Sequence, residues 1–415
     1  MNVYKSAFVL INMKGVFVVL DGGADEPCQI LGQITPLQAA KTPNLDLLAS
    51  NSKIYNCYTV KEGFVPESDN AIVSLLGYDF ISENRGALEA KGLGINLKNG
   101  DLALRCNFAT VDDLEQRNIL DRRAGRTLST EEAAILGKSI NEKVKLPFKF
   151  EFHNGIQHRG VLVIRGGFSN NISNIEEVKG RLEFSKPLDE QEDSKFAADL
   201  INSFIRQSHE VLDRHPINIV RARKGLYSAN VILCRGAGNE PARFKKLKGK
   251  WMALAYMPLE IGIALAAGMN IYRFDYPKLK GIDVYENLYS GLNKAIKYSI
   301  KMLKKFKDRY DYFFIHFKET DLPGHDNKPL DKVRMIEILD KEFFSFLKGF
   351  IDGKRLIITA DHTTSCRRKG HTADPVPVLV YPFEEKSEQR FTEEQGLKGK
   401  KIGSRSMLEK YLLGK

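Results

Sequence analysis

Buried strands that end directly in acidic residues and histidines constrain the fold of this chain more than any other feature of its sequence. The run GVFVVL leads directly into Asp21. The segment FFIHFKETDLPGH contains Asp321 and His325, and RLIITADH ends in Asp361 and His362. Continuous apolar runs of this length are typical of parallel strands that are covered on both faces. Amphipathic helix patterns alternate with these runs, so the sequence predicts an α/β fold with a mostly parallel sheet.

The length of the chain favours two domains, because 415 residues exceed what one ordinary hydrophobic core organises. The middle of the chain is richer in isolated strands and polar connections than its two flanks. We therefore expect a core formed by residues 1–97 and 236–415, with residues 98–235 inserted as a smaller α/β domain. Residues 1–12 precede the first strong strand, and we interpret them as a dispensable extension.

Several local patterns predict helices and their starting points. The segments TPLQAA and TPNLDLLAS place Thr35 and Thr42 before prolines, which is typical of an N-cap followed by proline at the first helical position. The segment ESDNAIVSLLGY predicts a helix that starts near Ser68. The segment DKVRMIEILDKEFFSFLKGF predicts a single helix.

Composition excludes some classes of protein. Hydrophobic residues make up 43% and charged residues 28%, as in globular proteins, and no apolar stretch is long enough to span a membrane. The five cysteines are scattered and form no CxxC pair. This pattern argues against a disulfide framework and a thiolate zinc site, and it favours a cytoplasmic location.

The charge of the chain allows two interpretations. A net charge of +11 suits a nucleic-acid partner, but the sequence has no nucleic-acid-binding motif and no stretch of interleaved aromatic and basic residues. A small anionic substrate explains clusters of arginine equally well. We therefore expect no nucleic-acid partner. The sequence carries no signal for the oligomeric state.

The polar side chains that follow the strands are predicted to converge on one rim of the sheet. In open α/β sheets, binding sites form outside the carboxyl ends of the strands. A further histidine, His371, follows in KGHTADPVPV. Together these residues offer three carboxylates and three imidazoles, which suits two divalent cations of the manganese or zinc kind. Pairs of such cations recur in enzymes that transfer phosphoryl groups.

Ser68 is the candidate nucleophile of such a site. It lies just before a predicted helix, and a helix N-terminus favours both a developing alkoxide and a bound phosphate. Direct coordination to a metal activates a serine hydroxyl. The alternative interpretation is that Ser68 is only an N-cap.

A set of longer motifs resembles the archaeal-type cofactor-independent phosphoglycerate mutases, which belong to the alkaline phosphatase superfamily. The motifs run in order from about Lys14 to Tyr381, and they include LDGGADEP, RCNFATVDD, DRRAGR, HRGVLVIRG, KETDLPGHD and HTADPVPVLV. The resemblance implies an alkaline-phosphatase-like, three-layer core with an inserted domain. It also implies interconversion of 2-phosphoglycerate and 3-phosphoglycerate, a step of glycolysis and gluconeogenesis.

The resemblance implies two metal sites. One metal would be held by Asp321, His325 and His371. The other would be held by Asp21, Ser68, Asp361 and His362, with Ser68 as the transiently phosphorylated nucleophile. We expect manganese, with zinc, cobalt or magnesium as alternatives, and we expect no requirement for bisphosphoglycerate.

The inserted domain is implied to grip the substrate, a small phosphorylated acid. The matching positions are Asp121, Arg122 and Arg126 in DRRAGR, with Arg123 and Arg159 as helpers and Lys318 near the metal loop. Arginine forks match phosphate and carboxylate groups. Ordinary surface salt bridges are the alternative role for each arginine, and Lys318 has the alternative of an ordinary rim lysine.

The sequence departs from the family pattern around the proposed nucleophile. The family has GSDT where this chain has ESDN, so that Glu67 and Asn70 are unusual, and Ile72 stands in place of a histidine. NRGALEA replaces GRGPFEA, and DHTTSC replaces DHSTPC. These changes leave open a phosphatase or phosphotransferase that acts on another phosphate ester. A non-catalytic binding protein that kept the fold is a further alternative, against which the intact metal ligands argue.

Overall fold

The computed structural model describes residues 13–79, 84–279, 282–383 and 386–414. Its strands, numbered in chain order, are β1 Gly15–Leu20, β2 Lys53–Cys57, β3 Leu102–Val111, β4 Ile119–Asp121, β5 Phe150–Asn154, β6 Arg159–Ile164, β7 Glu176–Val178, β8 Arg181–Glu183, β9 Val231–Gly238, β10 Trp251–Leu254, β11 Asn270–Tyr272, β12 Tyr312–Phe317, β13 Arg355–Ala360, β14 Thr363–Ser365, β15 Gly370–Thr372 and β16 Val376–Tyr381. The predicted extension at residues 1–12 lies outside the described residues and stays a prediction.

The α-helices are, in the same way, α1 Pro36–Ala39, α2 Pro43–Ser50, α3 Ser68–Leu75, α4 Arg85–Gly92, α5 Thr130–Lys143, α6 Glu192–Asp213, α7 Pro216–Arg223, α8 Pro258–Ala266, α9 Val284–Phe306, α10 Asp321–His325, α11 Pro329–Ile338, α12 Ser345–Phe350, α13 Glu393–Lys398 and α14 Ser404–Ser406. Short 3₁₀ turns cover Gln29–Leu31 and Ala124–Arg126, and π-helical turns cover Leu339–Phe344 and Met407–Leu413. Among the described helices, none combines the length and the apolar character that crossing a bilayer requires.

The central sheet has seven strands in the order β11-β10-β12-β1-β13-β16-β2. The first five are parallel to one another, and β16 runs antiparallel to both of its neighbours. This confirms the prediction of an α/β fold with a mostly parallel sheet. Leu20 pairs with both Phe317 and Ala360, so the residues that follow β1, β12 and β13 emerge at the same level.

Both faces of the central sheet are covered, which explains why its strands read as continuous apolar runs. In β1, Val16, Val18 and Leu20 pack into a core cluster that includes residues of α2 and α9. The alternate residues Phe17 and Val19 pack into a second cluster that includes residues of α3 and α8. Because successive side chains of a strand point to opposite faces, this division gives a three-layer core.

A second sheet is built by the middle of the chain. Strand β3 pairs with β4, β6 and β9, and β6 pairs with β5, all antiparallel. Residues of α5 and α6 cover this sheet in a separate hydrophobic cluster. The division of the chain at 97/98 and 235/236 stays a prediction, and β9 continues beyond the second boundary to Gly238.

Helix α4 lies between the two sheets and is fixed through glycines. A Cβ on Gly86 would collide with the backbone of Ala103 in β3, and a Cβ on Gly92 would collide with the carbonyl oxygen of Pro258 in α8. The backbone of α4 therefore touches the second sheet on one side and the core on the other. This close approach sets the second sheet over the rim where the strands end.

The local predictions of helix starts are confirmed, since Thr35 and Thr42 are the N-cap residues of α1 and α2 and each is followed by proline in the first turn. Thr35 caps α1 in a capping box with Gln38. The side chain of Thr42 makes no capping hydrogen bond to α2, and its hydroxyl donates to Asp46 Oδ1 at 3.0 Å. Asp340 supplies the cap instead, accepting from the backbone N–H of Leu45 at 2.7 Å.

The helix predicted over residues 331–350 begins earlier and is not a single α-helix. It starts at Pro329 as α11, and the π-helical turn Leu339–Phe344 separates α11 from α12. Asp340 lies in that turn. Asp340 therefore caps α2 from a π-helical turn, whereas the sequence pattern predicts that Asp340 lies inside a regular α-helix.

Candidate active site

The carboxylates predicted to converge do lie together where β1, β12 and β13 end. Asp21 and Asp361 are completely buried, and one carboxylate oxygen of each lies within 4.8 Å of a nitrogen of His316. The backbone N–H of Gly22 donates to Asp361 Oδ1 at 2.9 Å. This bond fixes the loop after β1 to the residue after β13.

His362 Nε2 is the common centre of one group of side chains. It lies 3.4 Å from Asp21 Oδ1, 3.4 Å from Asp361 Oδ2 and 3.2 Å from Ser68 Oγ. Ser68 reaches this point because α3 begins at Ser68 itself. The hydroxyl of Ser68 therefore lies both at the N-terminus of a helix and within hydrogen-bond distance of an imidazole nitrogen.

Asp321 is the centre of a second group. Its Oδ2 lies 3.4 Å from His325 Nε2, and its Oδ1 lies 3.7 Å from His371 Nε2. Helix α10 begins at Asp321 and ends at His325, and one turn of helix places their side chains together. His371 comes from β15, where its Nδ1 contacts the carbonyl oxygen of Pro66 at 2.9 Å.

The hydroxyl of Thr364 joins the two groups. It donates to Asp321 Oδ1 at 2.8 Å and lies 3.0 Å from His362 Nδ1. Since the threonine proton goes to the carboxylate, its oxygen is left to accept from Nδ1–H of His362. That tautomer directs the lone pair of Nε2 towards Ser68.

The charges at this rim are set by burial and by close neighbours. Burial, together with the nearby Asp361, raises the pKa of Asp21 well above its ordinary range. Burial alone would also raise the pKa of Asp361, but the imidazoles of His362 and His316 lower it. Burial lowers the pKa of His362 to about 4, so its imidazole is neutral at pH 7.

The chemistry of this donor set fits divalent cations. Asp21 Oδ1, Asp361 Oδ2 and His371 Nε2 form no hydrogen bond with the described residues, although all three atoms are buried. Buried polar atoms without partners are costly unless something else satisfies them. The groups Asp321, His325, His371 and Asp21, Asp321, His362 each bring their ligand atoms within 4.8 Å of one another.

His316 belongs to this rim, although it was not predicted from the sequence. It lies inside β12, is 1% exposed, and places Nε2 3.7 Å from Asp361 Oδ2 and 3.9 Å from Asp21 Oδ2. Neither ring nitrogen has a hydrogen-bond partner among the described residues. The available signal was a single histidine in an otherwise apolar strand, which is also how an ordinary core histidine looks.

Lys318 follows β12 and faces into the rim. Its Nζ contacts Asp21 Oδ2 and lies 3.0 Å from Glu260 Oε1. Burial opposes its charge, but Asp21 and Glu260 raise the pKa of Lys318, so it is a cation. The sequence predicted this lysine for the substrate, and the structure places it against one of the predicted metal ligands.

A cavity of about 490 Å³ opens above the rim, between the core and the second sheet. Ser68, Asp321, His325, His371 and Lys318 form part of its wall. The predicted arginines that line the cavity are Arg122, Arg123, Arg126 and Arg159. Burial and the neighbouring arginines lower the pKa of Arg123 to about 10, which reflects the density of positive charge in this wall.

Asp121 does not line this cavity but contributes to a neighbouring one of about 470 Å³. Its Oδ1 accepts from the backbone N–H groups of Arg123 and Gly125, both at 2.7 Å. Ala124, Gly125 and Arg126 all have positive φ. Asp121 thus holds a strained turn that presents the arginines.

Three further arginines line the cavity of about 490 Å³ above the rim and were not predicted from the sequence. They are Arg85, Arg105 and Arg235. Arg85 lies 3.6 Å from Glu67 Oε2 and 3.8 Å from Asp69 Oδ1. The negative charge that Glu67 adds beside Ser68 is therefore paired. Each of these arginines is isolated in its own segment of the sequence, NRGALEA, RCNF or RGAG, so the sequence did not indicate that they lie close together.

The other two unusual residues near Ser68 have different positions. Ile72 is completely buried in the core cluster under α3, so it packs and does not face the cavity. Asn70 is also buried, at 6% exposure. Of the three departures, Glu67 is the one in the cavity wall.

Comparison with known proteins gives one consistent result. Residues 49–218 match the family model of 2,3-bisphosphoglycerate-independent phosphoglycerate mutase. Proteins of that name from Thermococcus kodakarensis and Pyrococcus abyssi are each 38% identical to this chain, over 88% and 93% of both sequences respectively.

Solved structures agree with the sequence relatives. The PH0037 protein of Pyrococcus horikoshii superposes with a TM-score of 0.75 at 29% identity, covering 97% of both chains. The cofactor-independent phosphoglycerate mutase of Thermoplasma acidophilum gives a TM-score of 0.54 at 27% identity, covering 96% of this chain and 99% of the other.

Proposed function

Because the chain belongs to the 2,3-bisphosphoglycerate-independent phosphoglycerate mutases, which interconvert 2-phosphoglycerate and 3-phosphoglycerate, we propose that it catalyses this isomerisation with Ser68 as its nucleophile. One observation carries the assignment of Ser68: its Oγ lies 3.2 Å from Nε2 of the neutral His362, in the wall of an arginine-lined cavity. Its substrate is an intermediate of glycolysis and gluconeogenesis, so we place the reaction in the cytoplasm.

Two divalent cations would be held by the rim. Asp321, His325 and His371 would bind one, and Asp21, Asp361, His362 and Ser68 would bind the other. Mixed carboxylate and imidazole ligands suit manganese, with zinc, cobalt and magnesium as alternatives. When bound, such cations supply positive charge to the phosphoryl oxygens and lower the pKa of a coordinated hydroxyl.

The residues of the chain itself bind and orient the substrate. The arginine wall, formed by Arg122, Arg123, Arg126 and Arg159, offers forks that match both the phosphate and the carboxylate of phosphoglycerate. Lys318 adds a fixed positive charge next to Asp21. The helix N-terminus at Ser68 favours negative charge at the point where the phosphoryl group arrives.

The reaction is balanced without a second phosphorylated cofactor. The phosphoryl group moves from one glycerate oxygen to Ser68 Oγ, and the glycerate oxygen gains the proton that the serine loses. The trapped glycerate then turns, and its other hydroxyl takes the phosphoryl group back from Ser68 while its proton restores the serine hydroxyl. Water must be excluded in the interval, since it would hydrolyse the phosphoserine. No bisphosphoglycerate takes part.

Replacing the serine tests this proposal. The Ser68→Ala variant is expected to bind Mn²⁺, because the carboxylates and imidazoles remain, and to lose several orders of magnitude in turnover. The assay contains manganese and 3-phosphoglycerate without bisphosphoglycerate, and it follows both the isomer and free phosphate. Ser74→Ala, on the same helix, is the matched control and is expected to keep its turnover.

The covalent intermediate gives an independent readout. Native protein mixed with labelled phosphoglycerate is expected to yield a phosphoprotein whose label maps to Ser68, and the alanine variant is not. A Ser68→Ala variant that keeps most of its turnover would remove the serine mechanism. Release of phosphate without isomer formation would instead identify a phosphatase.

A further inference from the structure

Lys332 has a completely buried ammonium group whose hydrogen bonds all go to the loops of the candidate active site. Its Nζ donates to Ala24 O at 3.0 Å, to Asp25 Oδ2 at 2.8 Å and to Thr364 O at 2.9 Å. An ammonium group has three N–H donors, so this set satisfies it completely. Lys332 does not line the active-site cavity.

Lys332 and its three acceptors connect the segments that follow β1, β12 and β13, which carry five of the candidate metal ligands. The other two, Ser68 and His371, lie on α3 and β15. Ala24 and Asp25 follow Asp21 in the loop after β1, and Thr364 lies in β14 directly after Asp361 and His362. Lys332 itself lies in α11, the helix that follows α10 with Asp321 and His325. One side chain thus ties the ends of β1, β12 and β13 together beneath the rim.

Asp25 extends this connection into the backbone of the loop after β14. Its Oδ1 accepts from the N–H of Cys366 at 3.0 Å, while its Oδ2 accepts from Lys332. The carboxylate therefore joins the same two loops that the ammonium group joins. Both ends of the ion pair act on backbone atoms as well as on each other.

Thr364 carries the connection from the backbone to the ligands. Its carbonyl oxygen accepts from Lys332, and its hydroxyl lies between Asp321 and His362. The neighbouring Gly324 leaves little room for Thr364 to move, since a Cβ there would lie 2.6 Å from Thr364 O. A shift of Thr364 would consequently reach both ligand groups at once.

Stability alone is a poor explanation for Lys332. Removing an ammonium group from water costs several kcal/mol, and a well-packed apolar residue in such a place is often at least as stabilising. What an apolar residue cannot do is hold two carbonyl oxygens and a carboxylate at fixed positions. The geometry thus favours a role in arranging the loops.

We propose that Lys332 is a positioning residue, which sets the metal ligands by fixing the backbone at Ala24 and Thr364. The inference rests on the proposed function, because it assumes that the rim binds divalent cations. Residues that orient metal ligands from outside the ligand set change metal affinity about 10- to 100-fold when they are replaced.

The test replaces the ion pair by neutral side chains. Lys332→Met/Asp25→Asn removes the ammonium group without leaving a buried carboxylate unpaired. The dissociation constant for Mn²⁺, measured by titration calorimetry without substrate, is expected to rise about 10- to 100-fold. Turnover at low Mn²⁺ is expected to fall, and saturating Mn²⁺ is expected to restore most of it, while KM for phosphoglycerate changes less than about threefold.

A matched control separates positioning from general destabilisation. Arg221→Met/Glu132→Gln removes another buried cation and its carboxylate partner, 3.1 Å apart, from the second domain. This control is expected to lower the melting temperature and to leave the Mn²⁺ dissociation constant unchanged. If both double variants weaken Mn²⁺ binding equally, the positioning role is overturned.

Thr364→Val supplies a second measurement that does not depend on the folding of the lysine variant. Loss of the hydroxyl is expected to weaken Mn²⁺ binding, and combining it with the Lys332 and Asp25 changes is expected to add less than the sum. If Thr364→Val leaves the Mn²⁺ dissociation constant unchanged, the proposal that Lys332 acts on the metal ligands through Thr364 is overturned. Because the titration uses no substrate, the effect of each variant on Mn²⁺ binding can be measured even if the protein is not a mutase.

Discussion

Arg126 binds both carboxylate oxygens of Asp326, with its Nη1 2.6 Å from Oδ1 and 2.7 Å from Oδ2. The hydroxyl of Tyr285 donates to the same carboxylate at 3.0 Å. Arg126 lies in the turn Ala124–Arg126, which follows β4 of the second sheet, whereas Asp326 directly follows His325 at the rim of the central sheet. This pair therefore closes the cavity on the side of the candidate metal ligands.

Weakening that closure is expected to let water reach the phosphoserine. In Asp326→Asn the ion pair with Arg126 is lost, so we expect a larger share of phosphoglycerate to be released as free phosphate. The ratio of phosphate to isomer, measured in one reaction, reports the effect. Asp331→Asn is the control, because Asp331 accepts from Tyr289 at 2.7 Å and forms no ion pair with an arginine in the part of the chain that the structure describes. An unchanged ratio in Asp326→Asn would show that other contacts exclude water.

Arg85 is expected to protect the nucleophile from the charge of Glu67. In Arg85→Met, the carboxylates of Glu67 and Asp69 lose their ion pair with Arg85 and repel the phosphate more strongly, so kcat/KM should fall by roughly 10- to 100-fold. Arg85→Met/Glu67→Gln should recover much of that loss. The coupling is measured as a double-mutant cycle. Purely additive losses would mean that Arg85 acts on the substrate independently of Glu67.

Gly324 is expected to tolerate no side chain. It lies in α10 between Asp321 and His325, and a Cβ there would stand 2.6 Å from Thr364 O and 2.7 Å from Thr364 Cγ2. Gly324→Ala should lower both the melting temperature and the affinity for Mn²⁺. The control is Gly349→Ala in α12, where a Cβ meets nothing within 4 Å. That change should stabilise the protein by about 0.5–1 kcal/mol, and equal effects of the two substitutions would contradict the steric explanation.

Glu393 is expected to make stability depend on pH. Burial raises the pKa of this carboxyl from 4.5 to about 7, against the opposing effects of the Thr35 hydroxyl and the Lys332 ammonium. Between these values the folded protein holds a proton that the unfolded chain releases, so the free energy of unfolding falls as the pH rises from about 4.5 to 7. The stabilising contribution is complete below pH 4.5.

Denaturant titrations at several pH values check this effect. Glu393→Gln should lack this component of the pH dependence, whereas Glu394→Gln, an exposed neighbour on α13, should keep it. The buried groups nearby, Asp25 and Lys332, are present in both variants. A wild-type profile that runs parallel to that of Glu393→Gln from pH 4.5 to 7 would refute the assignment.

The residues that follow strands were predictable from the sequence, because the parallel order of a sheet brings the ends of its strands to one rim. Asp21, Asp361 and His362 follow their strands directly and meet as expected. His316 was not predictable, since it lies inside a strand and its neighbours are contributed by β1 and β13. The contacts of His316 depend on the register in which β12, β1 and β13 pair. That register is not determined by the residues around His316 in the sequence.

The full set of arginines that line the cavity was predictable only in part. DRRAGR gathers its arginines within one turn, so they must lie close together. Arg85, Arg105 and Arg235 come from α4, β3 and β9, and they meet because those elements pack on one another. Lys332 was missed for a related reason, since a lysine on an amphipathic helix is normally exposed and this one is buried by loops that are remote in the sequence.

The pairing of β3 with β9 has a consequence for how the chain folds. Ala103 pairs with Gly238, so the points where the chain leaves the core and returns to it are adjacent. The central sheet must pair Gly15 with Tyr312, and the entropic cost of closing so long a loop grows with the number of free residues between the two. If the second sheet forms first, the chain between β1 and β12 is effectively shortened. Early formation of that sheet would therefore speed the assembly of the rim on which the chemistry depends.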